Sequence, residues 1–247
     1  VVLAAGERIA GAKLDPLATE SLDTLRFEDG RPSLLARDWM EGAEPVLGES
    51  NEASGRASFE ALELATAAVR RGQVDAILFA PLNKHSLRLG GLVHEDELRY
   101  MQARFAVPGF VCEFNLTGAL WTSRVTSHIP LKDVASHITG EGVRDAVKIT
   151  AAALRQSGVA QPRIAVSGLN PHAGDGGSIG MEEIEIIGPA IERLCAEGYD
   201  ARGPFSPDTV FIGARRGDGD AVVAMYHDQG QIAMKLMGFE QGVTLHG

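Results

Sequence analysis

The 247-residue sequence carries only two cysteines, Cys112 and Cys195, far apart and in dissimilar settings. That count excludes a disulfide-stapled scaffold and predicts reduced core or near-core thiols in a reducing compartment. No stretch approaches 18 apolar residues, so no membrane-spanning helix is expected. The opening Val1-Val2-Leu3-Ala4-Ala5 is too short for a signal peptide and lacks a basic n-region, which makes the cytoplasm the expected compartment. Basic residues are in deficit, with Lys+Arg 23 against Asp+Glu 33 and a net charge of -10. Without a Lys/Arg-rich run there is no phosphate track, and nucleic acid is excluded as the main partner. A small anionic substrate stays allowed, because one Lys or Arg in a cleft serves that purpose. Neither a Walker-type G-x-x-x-x-G-K-[ST] nor a G-x-S-x-G occurs, which disfavours P-loop phosphoryl transfer and nucleophile-elbow hydrolysis. The run Gly174-Asp175-Gly176-Gly177-Ser178-Ile179-Gly180 lacks the G-x-G-x-x-G spacing and has no ribose acid downstream. It reads as a turn that lets backbone approach a site, and only weakly as a phosphate loop.

What is present is an alternation of short apolar runs and amphipathic segments. Val74-Asp75-Ala76-Ile77-Leu78-Phe79, broken at Pro81, predicts a buried strand, preceded by a helix over roughly Ser58 to Arg71. Arg124 to Ser127 predicts a second strand, and Glu141 to Gln156 a helix with Val143, Val147, Ala151 and Leu154 on one face. Further strands are expected at Arg163 to Ser167 and Ala221 to Tyr226. A helix is expected from Met181 to about Ala196, with Ile184, Ile187, Ile191 and Leu194 on its stripe. Glu41 to Ala57, rich in Gly, Ser and Glu, predicts a loop. This pattern predicts an α/β fold with a largely parallel sheet.

Three histidines follow predicted strands. His128 lies in Thr126-Ser127-His128-Ile129-Pro130-Leu131, His172 in Gly168-Leu169-Asn170-Pro171-His172-Ala173-Gly174, and His227 in Met225-Tyr226-His227-Asp228-Gln229-Gly230. Ligands gather outside the carboxyl ends of strands in open α/β sheets. Three imidazoles at that edge suit one borderline divalent metal with positions left open for substrate, whereas any one alone reads equally well as a surface or hydrogen-bonded histidine. Zn, Mn, Mg, Co and Ni all remain compatible. His137 reads as exposed. The acidic run after His94, Glu95-Asp96-Glu97, reads as the first turn of a helix before it reads as catalytic. Lys84, in Ala80-Pro81-Leu82-Asn83-Lys84, and Lys235 are single lysines that read as solvated unless a cleft holds them. Asp208, in Pro207-Asp208-Thr209, reads as a turn or cap residue, and Asp228 as an orienting partner of His227.

At these residues the sequence resembles the 4-hydroxythreonine-4-phosphate dehydrogenase family of pyridoxal phosphate biosynthesis. The resemblance rests on Ser127 to Val134, Gly168 to Gly177, Pro207-Asp208-Thr209 and Ala224 to Gly230, and runs over roughly residues 74 to 243. It implies a two-domain α/β fold related to isocitrate and isopropylmalate dehydrogenases, with the whole of 1–247 forming one two-lobed unit. The lobes would exchange chain near 80–125 and near 200–247. It implies a homodimer whose active site draws metal-binding residues from both subunits, with His128, His172 and His227 as ligands. Lys235 and His94 become substrate contacts, and Asp208, Asp228 and Lys84 catalytic residues. NAD or NADP would accept a hydride from a hydroxy acid such as 4-phosphohydroxy-L-threonine, with decarboxylation following. A non-phosphorylated sugar acid or diol, or a metal-dependent hydrolase or lyase reaction without NAD, are the alternatives.

The sequence also departs from the family's pattern. Where the family has Gly-His-Thr-Glu, this chain has Val93-His94-Glu95-Asp96-Glu97, and Thr244 stands where a phosphate-holding asparagine is expected. Extra acids beside a phosphate repel it, which points to a divergent paralogue with a shifted substrate. The family's Gly-Asp-Pro-Ala-Gly-Ile-Gly opening, its later arginine and its His-Gly-Thr-Ala-type cofactor loop have no counterpart in residues 1–247. The expectation is therefore a portion of a longer protein, with cofactor-binding residues unassigned.

Overall fold

A computed structural model describes residues 2–26, 30–42, 46, 48–238, 240 and 242–246. The chain divides into two compact units, Val1–Val107 and Pro108–Gly247. The first contains α1 (Val2–Ala10), the parallel pair β1 (Leu17–Thr19) and β2 (Ser33–Leu35), α2 (Glu52–Arg70), α3 (Lys84–Leu89) and α4 (Glu97–Phe105). Leu62, Leu87, Leu92 and Tyr100 form its core.

The helix expected from Ser58 starts earlier, at Glu52. Asn51 caps it by accepting from the Ser54 amide at 2.8 Å. Residues 52–57 of the expected loop are therefore helical, while 43–45 and 47 lie outside the described residues. The strand expected at Val74–Phe79 is not formed. The run is irregular, with Leu78 97% exposed. An apolar run becomes a strand only where a ladder neighbour takes its backbone groups, which composition cannot supply. The acidic run behaves as its helix-start reading requires: Asp96 caps α4, accepting from the Arg99 amide at 2.8 Å.

The second unit holds β3 (Glu113–Thr117), β4 (Leu120–Arg124), α5 (Val134–His137), α6 (Gly140–Gln156), β5 (Arg163–Ser167), α7 (Gly188–Ala196), β6 (Asp200–Phe205), α8 (Val210–Arg215), β7 (Ala221–Ala224), α9 (His227–Gly238) and β8 (Gly242–His246). Its six strands run in the order β6-β5-β7-β4-β3-β8. The first four are mutually parallel, while β3 pairs antiparallel with both β4 and β8. Alternate β7 residues serve opposite faces. Ala221 and Val223 join the cluster with Val143, Val147, Leu154, Ile187, Ile191 and Leu194. Val222 meets Val210, Phe211 and Met234 of α8 and α9. The result is a sheet covered on both faces, which the α/β alternation predicts.

The strand expected at Arg124–Ser127 lies at Leu120–Arg124, four residues earlier, although the Val125 and Thr126 amides still donate to Ala224 and Met225 carbonyls at 2.9 and 3.1 Å. The expected Met181–Ala196 helix splits into a π-turn at Glu183–Ile187 followed by α7. Pro189 explains the break, because it lacks the amide that a regular helix would use there. Ile184 leaves the stripe and is half exposed.

The two thiols differ more than the sequence implied. Cys112 is buried, and that burial pushes its thiol up to about 12, whereas Cys195 lies exposed on α7. Because the thiolate is the reactive form, one thiol per chain should react with a disulfide reagent in the native protein, and two after unfolding. Two fast thiols in the native state would contradict the placement of Cys112.

Candidate active site at the carboxyl edge of the sheet

Four parallel neighbours end at the same edge. His128 follows β4, His227 follows β7, His172 follows β5 and Asp208 follows β6, in the order the strands lie in the sheet. Parallel pairing is what turns scattered sequence positions into one edge.

His128 and His227 come together, their ring centroids 5.5 Å apart. The two segments are tied through Met225: its carbonyl accepts from the Thr126 amide and from Thr126 Oγ1 at 3.1 and 2.7 Å. His227 Nδ1 lies 2.7 Å from Asp228 Oδ1. A carboxylate on Nδ1 selects the tautomer that leaves Nε2 available to a metal, the orienting role expected of Asp228. Two imidazoles so placed are donors of the type a borderline divalent cation takes, though a pair is short of a full set.

His172 is not gathered with them. Among the described residues no group of three or more His, Cys, Asp or Glu is in position to hold a metal ion. His172 is exposed, on a turn (Pro171–Gly177) wound in the left-handed sense. His172, Ala173, Gly174, Asp175 and Gly176 have φ of 54°, 53°, 80°, 45° and 65°. Left-handed backbone costs a non-glycine residue roughly 1–2 kcal/mol, and His172, Ala173 and Asp175 all bear it. Such strain persists only where the surroundings over-determine the loop. His128 shares the feature, with φ 54°.

Lys235 lies on α9 in a cavity of about 300 Å³ whose lining also includes His227, Gln231, Glu113, Asn115 and Thr244. Buried Arg124 pairs with Glu113 and donates to Asn115 Oδ1 at 2.9 Å, while Asn115 Nδ2 donates to Thr244 Oγ1 at 3.0 Å. The Glu113 charge is thus matched by Arg124. Phe114 and Leu116 in β3, and Val243 and Leu245 in β8, alternate as strand residues do, but that pattern does not say which strand lies beside which; the β3–β8 pairing that brings Asn115 to Thr244 is tertiary. Asp208 accepts from Ser206 Oγ at 2.7 Å and is exposed.

Lys84 and His94 belong to the first unit. Lys84 is the exposed first residue of α3. His94 is half-buried, edge-on to Tyr100 at 5.7 Å, and its buried Nδ1 makes no hydrogen bond. His137 is exposed, as expected, with Nδ1 2.8 Å from the Asp133 carbonyl oxygen. Among the described residues no helix is long and apolar enough to cross a membrane.

The sequence profile of the family described as "Pyridoxal phosphate biosynthetic protein PdxA" matches residues 9–247. A Pseudomonas aeruginosa protein, provisionally named as a second 4-hydroxythreonine-4-phosphate dehydrogenase, is 48% identical over 247 residues, covering 98% of this chain and 72% of that protein. A D-threonate 4-phosphate dehydrogenase from Cupriavidus necator is 37% identical over 242 residues, covering 96% and 71%. The crystal structure of 4-hydroxythreonine-4-phosphate dehydrogenase from Klebsiella pneumoniae superposes with a TM-score of 0.81 at 33% identity, covering 94% of this chain and 71% of that one.

Proposed function

This chain belongs to the PdxA family of pyridoxal phosphate biosynthetic proteins, with its isocitrate dehydrogenase-like fold, and is an oxidoreductase; on that premise we propose that it oxidises a phosphorylated hydroxy acid with NAD or NADP and a divalent metal, and that the product decarboxylates. The observation that carries this reading is the delivery of His128, His227, His172 and Asp208 to one sheet edge by four adjacent parallel strands.

His128 and His227 would hold the metal from one chain, with Asp228 fixing the His227 ring. Bound there, the cation would supply positive charge to the oxygen that becomes negative during oxidation and carbon dioxide loss. Neutral imidazoles suit this because they leave that charge uncancelled. NAD supplies the hydride acceptor. Asp208, held by the Ser206 hydroxyl, takes the alcohol proton, and Lys235 holds the anionic end of the substrate from its cavity beside His227. On the family resemblance alone, His94, whose Nδ1 is unpartnered, is assigned to substrate contact and Lys84 to catalysis.

The third ligand is assigned to His172 of the partner subunit in a homodimer. Two observations support it. His172 is exposed and lies outside any three-ligand group among the described residues. Large exposed apolar residues also cluster in sequence beside each histidine: Leu131 after His128, Ile179 and Ile184 after His172, and Ile232 and Leu236 on α9. A dimer that brought these segments to its interface would cover those side chains.

A second reading of the substrate, a phosphorylated sugar acid, is favoured by the 37% identity to the named D-threonate 4-phosphate dehydrogenase. The test is NADH formation by the metal-loaded protein with 4-phosphohydroxy-L-threonine, D-threonate 4-phosphate and the unphosphorylated acids. Turnover with either phosphorylated acid, with carbon dioxide released, is expected. Product without NADH would establish the hydrolase or lyase alternative, and no NADH from any of them would overturn the dehydrogenase assignment.

A further inference from the structure

The π-turn that interrupts the expected helix places a carboxylate where the sequence suggests only another surface acid. Glu183 is 3% exposed. Its Oε1 accepts from the Leu169 and Asn170 amides, both at 2.7 Å, and its Oε2 accepts from Asn170 Nδ2 at 3.0 Å. All of these donors lie in the segment between β5 and His172. A Cβ on Gly174 would sit 2.7 Å from Glu183 Oε2, so the far side of the turn also closes onto the same carboxylate. Among the described residues its hydrogen-bond partners are N–H groups, with no Lys or Arg. Backbone and amide N–H groups satisfy a buried carboxylate only when they are held convergent on it.

From these contacts we propose that Glu183 is a positioning residue for His172: its carboxylate gathers the Leu169–Asn170 backbone and forces the left-handed turn that presents the imidazole at the sheet edge. Gln229 couples that turn to the neighbouring histidine. Its Nε2 donates to the Gly168 carbonyl at 3.0 Å, while its Oε1 accepts from the Met225 amide at 2.7 Å. Glu183 and Gln229 thus set the His172 segment relative to the strand end that carries His227. The consequence for metal binding rests on the three-histidine reading above; the consequence for the loop does not.

The experiment compares wild type with Glu183→Gln and Glu183→Ala, first without metal and then with it. Amide exchange of the peptide covering 169–177, read by mass spectrometry in the metal-free protein, should rise on the order of tenfold in Glu183→Ala while α6 and α7 stay protected. Titration with Co²⁺ alone, followed by its d–d absorption, should show affinity weakened ~10- to 100-fold, with Glu183→Gln in between because it keeps one acceptor oxygen. Unchanged exchange over 169–177 overturns the proposal. A lowered melting temperature with unchanged exchange and Co²⁺ affinity also overturns it, since that is what a merely structural role produces. Absence of Co²⁺ binding by the wild type would overturn the three-histidine reading instead, leaving the exchange result to judge Glu183. If both Glu183 variants fail to fold, Glu183→Asp keeps the charge but withdraws it from the Leu169 and Asn170 amides, and wild-type exchange and affinity in that variant would refute the assignment.

Discussion

Subunits carrying His172→Ala and subunits carrying His227→Ala should each be inactive alone and active when mixed. Removing a ligand takes away several kcal/mol of charge stabilisation, which lowers turnover on the order of 10³-fold. In a shared site, a mixed dimer carries one site that has lost both ligands and one that keeps all of them. Random reassociation makes about half the dimers mixed, so roughly a quarter of wild-type activity should return. The pairing of His128→Ala with His227→Ala is the control. These two imidazoles already lie 5.5 Å apart within one chain, so that mixture should not recover. If the first mixture stays inactive, or the control recovers equally, the third ligand does not come from the partner.

Lys235→Ala should raise KM for the phosphorylated substrate about 10- to 100-fold while leaving kcat within a few fold, because a hydrogen bond to a charged group contributes about 1.5–3 kcal/mol. The cavity lining explains why one lysine matters here. Glu113 is the carboxylate in that cavity, and its charge is matched by buried Arg124, while Asn115, Gln231 and Thr244 are neutral. The same variant should leave KM for an unphosphorylated analogue nearly unchanged. Equal losses on both substrates would show that Lys235 acts on something other than the phosphate. Steady-state kinetics on the matched pair of acids decides between these outcomes.

Much of the second unit was written in local pattern. The apolar stripe Val143, Val147, Ala151 and Leu154 sits fully in the core, and Arg163–Ser167 is a strand over the predicted residues. Where the pattern misled, the cause was non-local. Val74–Phe79 has strand composition without a strand conformation, because pairing belongs to the neighbour as much as to the run itself. Glu183 resembles its neighbours Glu182 and Glu185 in the chain. What distinguishes it is a π-turn set by Pro189 and a ring of amides from a segment 13 to 14 residues earlier.

By itself the sequence determined the absences, the α/β alternation and the placement of His128, His172 and His227 after strands. These follow from composition and short-range periodicity, which report on local backbone preference and on which faces avoid water. Only the tertiary structure decided that the strands lie in the order β6-β5-β7-β4 and so share one edge. It also decided that His128 and His227 meet while His172 stands apart, and that Asp228 and Glu183 hold backbone and ring in place. Those are relations between segments tens of residues apart. They are settled by which ladders close and which buried polar groups find partners, and no local window of the chain contains that information.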